Sequence, residues 1–308
     1  MVVDHTRAAM TAALSFPGGS PAARAPRSGR SVTRTLLALV LACSAACASG
    51  PKKPPVGTLE PDKFLWERGS DQLNQKHWLT SREYFRQLMD SYPQSSFRAD
   101  AKLGMGDTYL GEGSAESRVL AVNEYREFLS FYPTHRRADY AQFKLGMAHF
   151  YEMHGPERDQ TETREAIAEL SLFVQKYPVA CGTSVIVTGC SDLLAEVRGR
   201  LREAHDRLSD ANYRVAYFYL KTGRFPPAAI DRFNAILKED PEYTRRDAVY
   251  FFLAQALIKV QRPAEALPYL DRLAAEFEQS EYLEEARKLA VTLKDEQTKK
   301  AKNGSMLP

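Results

Sequence analysis

Five stretches of this chain repeat one small pattern, and a repeat of that size leaves few folds open. A small residue stands at Ser81, Ala121, Ala166, Ala229 and Ala266. Four positions on comes a large side chain: Phe85, Tyr125, Leu170, Phe233 and Leu270. Seven positions on comes another: Leu88, Phe128, Phe173, Ile236 and Leu273. Spacings of four and seven mark one face of a helix. The pairs Tyr92-Pro93, Tyr132-Pro133, Tyr177-Pro178 and Asp240-Pro241 then stop it, and Phe277-Glu278 closes the fifth unit without a proline. A second set of helical segments precedes these, at about residues 63–73, 99–110, 140–154, 208–221 and 246–260. Helix, turn and helix repeated five times predict an all-α fold, a superhelical solenoid of about five tetratricopeptide-like hairpins.

The small residues have a packing role. Where two helices cross closely, a side chain larger than alanine holds them apart. Gly69, Gly106 and Gly146 occupy the matching place in the first helices of units one to three. The aromatic four residues after each small position fills the wedge between hairpins. Residues 111–118 and 155–164 read as stretched inter-helix loops in units two and three, whereas unit four keeps the compact length.

The first 46 residues read as an export signal, with a possible extension at its start. Residues 36–42 (LLALVLA) form a short apolar run preceded by Arg30 and Arg34 and followed by small residues. The run is shorter than the ~20 residues that span a bilayer. A cysteine after small residues at its end resembles a bacterial lipobox, in which that cysteine becomes the acylated N-terminus. Cys47 and Cys43 both fit, and Cys47 is preferred because its apolar run is longer and Ala45 and Ala46 stand beside it. Residues 47–61, rich in proline, glycine and lysine, read as a flexible tether. No aspartate follows either cysteine, which favours the outer membrane.

Formal charge is close to balanced at +3 over 308 residues. Much of the excess lies near the start, so nothing demands nucleic acid. No helical HExxH pair, phosphate loop, dinucleotide fingerprint or nucleophile elbow occurs. The expectation is a non-enzyme without cofactor or metal. Cys181 and Cys190 bracket an insert at 181–190 that breaks the helical rhythm. In an exported protein a disulfide between them is plausible chemistry, with two free thiols as the alternative.

Hairpin stacks usually present a surface. By register from the glycines, the inner face is expected to carry Trp66, Leu73, Leu103, Asp107, Leu110, Tyr140, Phe143, Met147 and Phe150, a set suited to an extended or helical peptide. Plain interhelical burial is the competing reading.

Three segments carry a family resemblance. Tyr132-Pro133-Thr134-His135 with Asp139-Tyr140-Ala141, the stretch Glu157-Arg158-Asp159-Gln160-Thr161-Glu162-Thr163-Arg164, and Ala228-Ala229-Ile230-Asp231-Arg232-Phe233 together resemble the BamD family of outer-membrane assembly lipoproteins. The resemblance covers about residues 64–289. It implies a lipid-anchored scaffold on the periplasmic face of the outer membrane. Repeats one to three (62–180) would receive unfolded barrel segments, and repeats four and five (191–294) would dock on BamA, a barrel protein with POTRA domains. It also implies that Arg232 is a docking residue. Two departures stand out: the Cys181–Cys190 insert, and Asn212 where the family has glutamate. The alternative is another helical-repeat envelope lipoprotein, a secretin pilotin or a division coordinator. Residues 295–308 read as a disordered tail.

Overall fold

The computed structural model describes residues 52–179, 191–223 and 225–304. Every regular element among them is a helix: α1 (Pro61–Asn74), α2 (Trp78–Ser91), α3 (Arg98–Glu112), α4 (Ala115–Phe131), α5 (Ala138–Phe150), α6 (Thr161–Lys176), α7 (Leu194–Thr222), α8 (Pro226–Glu239), α9 (Arg246–Lys259), α10 (Pro263–Glu276) and α11 (Leu283–Gly304). Each packs on the next, giving five hairpins and a final helix, the tetratricopeptide-like solenoid that the repeats predict.

The repeated small residues do what their spacing suggests. Ser81, Ala121, Ala166, Ala229 and Ala266 are all fully buried at helix crossings. A Cβ added to Gly106 would stand 2.7 Å from the Tyr125 ring, and one on Gly146 2.6 Å from Leu170 Cδ2. Tyr92, Tyr132, Tyr177, Asp240 and Phe277 each close a helix with φ between −125° and −135°, still donating an N–H four residues back. The proline that follows four of them cannot extend the helix.

Successive hairpins are latched together. Ser95 Oγ donates to Asp62 (2.7 Å), Ser280 Oγ to Asp247 (2.6 Å) and Tyr243 Oη to Asp210, each pair thirty-three residues apart. Ser95 and Ser280 also accept the N–H two residues on, which starts the next helix. At the second junction His135 takes the serine's place and accepts from Arg137 N–H (3.2 Å). Asp100 there faces Arg137 and Arg136 at 3.5 and 3.6 Å, and its Oδ1 is buried without a hydrogen bond.

The insert splits one of these turns without disturbing it. Ser191 N–H donates to Val179 C=O at 3.0 Å, and Ser191 Oγ donates to Asp139 at 2.7 Å as the other latch serines do. Cys181 and Cys190 lie outside the described residues. Joining Val179 to Ser191 would give Tyr177-Pro178-Val179-Ser191, the length of Tyr92-Pro93-Gln94-Ser95. Deletion of 180–190 is therefore expected to leave helicity intact, because the Ser191–Val179 and Ser191–Asp139 bonds do not involve those residues. Circular dichroism with thermal melting checks it; loss of helicity would show that the insert is part of the fold.

Four expectations need correction. The unit-two loop is short: α3 runs to Glu112 and α4 starts at Ala115, with left-handed Gly113 and the capping Ser114 between them. The extra residues of that unit lengthen its helices. α7 is 29 residues long and begins at Leu194, well before residue 208. Its first half packs with repeat three through Leu194 and Val197, and its second half joins the C-terminal core through Tyr213, Ala216 and Leu220. The segment before α1 is not free throughout, since Lys52 N–H already donates to Tyr84 Oη. Finally, the chain beyond Asp295 stays helical to Gly304. Leu283, Ala286, Ala290 and Leu293 seal the last hairpin, and the helix continues past that contact.

Repeat four ends on a buried carboxylate where the first three have tyrosine. Burial works against the charge of Asp240, yet bonds from Arg202 and Ser209 Oγ (2.7 Å) hold its pKa below the ordinary carboxylate value. A depressed folded-state pKa contributes stability above the unfolded value, near 3.9, that is lost as pH falls through the folded one. Asp240→Asn is expected to lower the melting temperature at pH 7 and to shrink the difference from the parent below about pH 4. Melting curves across that range check the sign.

Candidate functional site

The inner face of the first three repeats holds a groove of about 540 Å³. Leu73, Asp107, Leu110 and Tyr140 of the expected set line it, together with Lys76, Trp78, Gly111, Arg118, Lys144 and Tyr151. The other five expected residues do not. Leu103, Phe143 and Met147 are buried at 0%, 5% and 2% exposure. Trp66 stacks on Phe97 with ring centroids 5.1 Å apart, and Phe150 packs with the repeat-three core. The reason is the register. Gly106 and Gly146 face the second helix of their own hairpin, so the residue three positions earlier shares that buried face. Met147 is covered by α7, whose start the sequence did not reveal.

One groove wall is built around Asp107. Tyr125 Oη and Tyr140 Oη both donate to its Oδ1, at 2.7 and 3.1 Å. Burial raises the carboxyl pKa, and these bonds with the nearby Lys144 and Arg137 charges pull it back. Burial, reinforced by Asp107, likewise pushes both phenols up, so each remains a donor. Arg137 and Lys144 lie over the Tyr140 ring at 4.6 and 5.2 Å. Trp78 covers Gly111, where a Cβ would stand 2.7 Å from the indole. Gly111 is the signal in the sequence that could have pointed to Trp78.

The cations on the rim differ in pairing. Arg118 is bonded to Glu152. Lys76 and Lys144 have no ion-pair partner among the described residues. The groove thus offers two ammonium groups without an ion-pair partner among the described residues, beside Trp78, Tyr140 and the 55%-exposed Tyr151.

The loop at residues 151–160 borders this groove. Buried Gln160 fixes it from within, donating to Gly155 C=O (2.8 Å) and Arg158 C=O (3.0 Å). Arg207 of α7 donates to His154 C=O at 3.0 Å, and Arg214 pairs with Glu157.

Arg232 lies on α8, half-buried. Its Nη1 donates to Asn212 Oδ1 on α7 at 3.1 Å, and it has no carboxylate partner among the described residues. Its charge is oriented by a neutral amide and not neutralised. Cys43 and Cys47 lie outside the described residues. No group of histidine, cysteine or acidic side chains among the described residues could hold a metal ion, and no helix there is long and apolar enough to cross a membrane.

These features define a helical-repeat protein with a groove along its first three repeats and a half-buried arginine on α8 that has no carboxylate partner among the described residues. The match to the family of outer membrane lipoproteins called YfiO spans residues 59–266, and the chain belongs to that family. The chain is also similar to the outer membrane protein assembly factor BamD of Caulobacter vibrioides, with 28% identity over 240 residues, 77% of this chain and 73% of that protein. Among solved structures it resembles MamA at 16% identity, with TM-score 0.31 over 72% of this chain and 94% of that one. It also resembles a tetratricopeptide repeat protein from Parabacteroides merdae at 15% identity, with TM-score 0.32 over 77% and 88%.

Proposed function

We propose that this protein is a lipid-anchored scaffold of the outer-membrane β-barrel assembly machinery, acylated at Cys47 and facing the periplasm. Repeats one to three hold unfolded barrel segments, and repeats four and five dock on a BamA-like protein with POTRA domains. The groove is the observation that carries this reading. Its aromatic walls suit the alternating aromatic residues of a barrel strand. Lys76 and Lys144 suit backbone carbonyls and carboxylates of an extended chain, while the half-buried Asp107 can accept from peptide N–H groups. Arg232, held by Asn212 and short of a carboxylate, suits an acidic residue on the docking partner. A disulfide between Cys181 and Cys190 belongs to the same reading, since the periplasm is oxidising.

Affinity purification from detergent-solubilised outer membrane tests it. A large barrel protein with POTRA domains is expected to co-purify, and recovery of only a secretin or a peptidoglycan-binding protein would overturn the assignment. Lys144→Glu is expected to weaken binding of a synthetic barrel-strand peptide about tenfold, as loss of one charge-assisted contact would. Fluorescence anisotropy measures this, and an unchanged affinity would move the peptide site elsewhere.

A further inference from the structure

The segment between the anchor and α1 is pinned to repeat one. Lys52 N–H donates to Tyr84 Oη at 2.8 Å, and Tyr84 is only 5% exposed on α2. The chain then turns: Thr58 N–H and Thr58 Oγ1 both donate to Pro55 C=O, at 3.1 and 2.7 Å, and Gly57 takes φ +91°. Pro61 opens α1 directly afterwards. This segment carries two bare apolar side chains, Val56 at 108% and Leu59 at 97% exposure. No other large apolar residue among those described is as exposed. Lys52 and Lys53 stand exposed on the same short segment.

We infer that residues 52–59 form a membrane-contacting strap that fixes repeat one against the bilayer surface, with Val56 and Leu59 in the lipid interface and Lys52 and Lys53 at the headgroups. The inference rests on acylation at Cys47. Five residues lead from Cys47 to Lys52, and an extended chain covers at most about 18 Å over that length. The acyl chains therefore hold the pinned residue within one headgroup layer or so of the membrane. Apolar side chains there lose nothing by entering the interface, and lysines gain from anionic lipid. A free tether would let the domain hang at any angle; the Tyr84 contact selects one edge of the solenoid, that of α1 and α2.

Photocrosslinking tests the strap on the full chain in vesicles of phosphatidylethanolamine and phosphatidylglycerol. Benzoylphenylalanine is placed at Val56, at Leu59, or at Leu79, which is 66% exposed on α2 outside the strap. Lipid adducts at the first two sites are expected to exceed those at Leu79 at least fivefold. Tyr84→Phe keeps the ring and removes the pin, and is expected to cut the Leu59 adduct at least twofold. Equal adducts at all three sites, or adducts to protein alone, overturn the strap while leaving the anchor standing. Mass spectrometry of the same sample reports acylation, and an unacylated chain overturns both.

Discussion

Phe85→Ala is expected to destabilise the N-terminal repeats by about 3–5 kcal/mol, the range for truncating a fully buried phenylalanine. Phe85 is 1% exposed and lies between two glycines from different hairpins. A Cβ on Gly69 would stand 2.5 Å from its ring, and one on Gly104 2.6 Å from the opposite edge. Neither wall has a side chain that could move in to fill the void, so the site collapses poorly and the upper part of the range applies. The reverse change is informative too. Gly104→Ala overpacks the same space at about 1–3 kcal/mol. Combining it with Phe85→Leu is expected to cost less than the sum of the two single changes, because the smaller side chain makes room for the methyl group. Urea unfolding followed by circular dichroism measures each variant. A loss below about 1 kcal/mol for Phe85→Ala would mean that the ring is not the wedge joining repeats one and two.

Arg232→Glu is expected to weaken the proposed docking on a POTRA-bearing partner by at least about thirtyfold, the low end of the effect of removing one member of a buried interfacial charge pair. Arg232 donates to Asn212 Oδ1, a neutral acceptor that orients the guanidinium without cancelling its charge. Asn212→Ala removes only this support and is expected to change affinity by less than about threefold, because the guanidinium keeps its charge. Circular dichroism should be unchanged in both, since neither side chain belongs to the buried core. Surface plasmon resonance against the partner's periplasmic domains reads the affinities. Equal binding by the parent and Arg232→Glu would return Arg232 to the role of a solvated helix-face residue.

The hairpins were legible because their spacing is a packing rule. A small residue, a large one four on and another seven on cannot be satisfied except at helix crossings. The groove was legible only in part. Asp107, Leu110, Leu73 and Tyr140 line the cavity, since they recur along one side from hairpin to hairpin. Leu103, Phe143 and Met147 were misplaced because an apolar residue reads alike whether it lines a groove or packs against a neighbouring helix. Trp78, Lys76 and Arg118 were missed for a different reason. They lie in or beside the turns within hairpins, and their meeting depends on three-dimensional curvature that no local periodicity encodes. α7 was underestimated although Leu194, Val197, Leu201 and Ala204 keep a helical spacing, because the neighbouring insert interrupted the rhythm of the repeats.

α7 also sets where this chain can change length. A helix of 29 residues is a rod about 43 Å long. One residue added near its middle would swing everything beyond by about 100° around the rod axis. Eleven residues already sit between Val179 and Ser191, and the hydrogen bond across that gap absorbs them. Length is thus cheap just before the rod and forbidden within it. The angle between the groove and the Arg232 face is a phase, fixed by counting helical residues, and relatives that vary freely at the first place should keep strict register through the second.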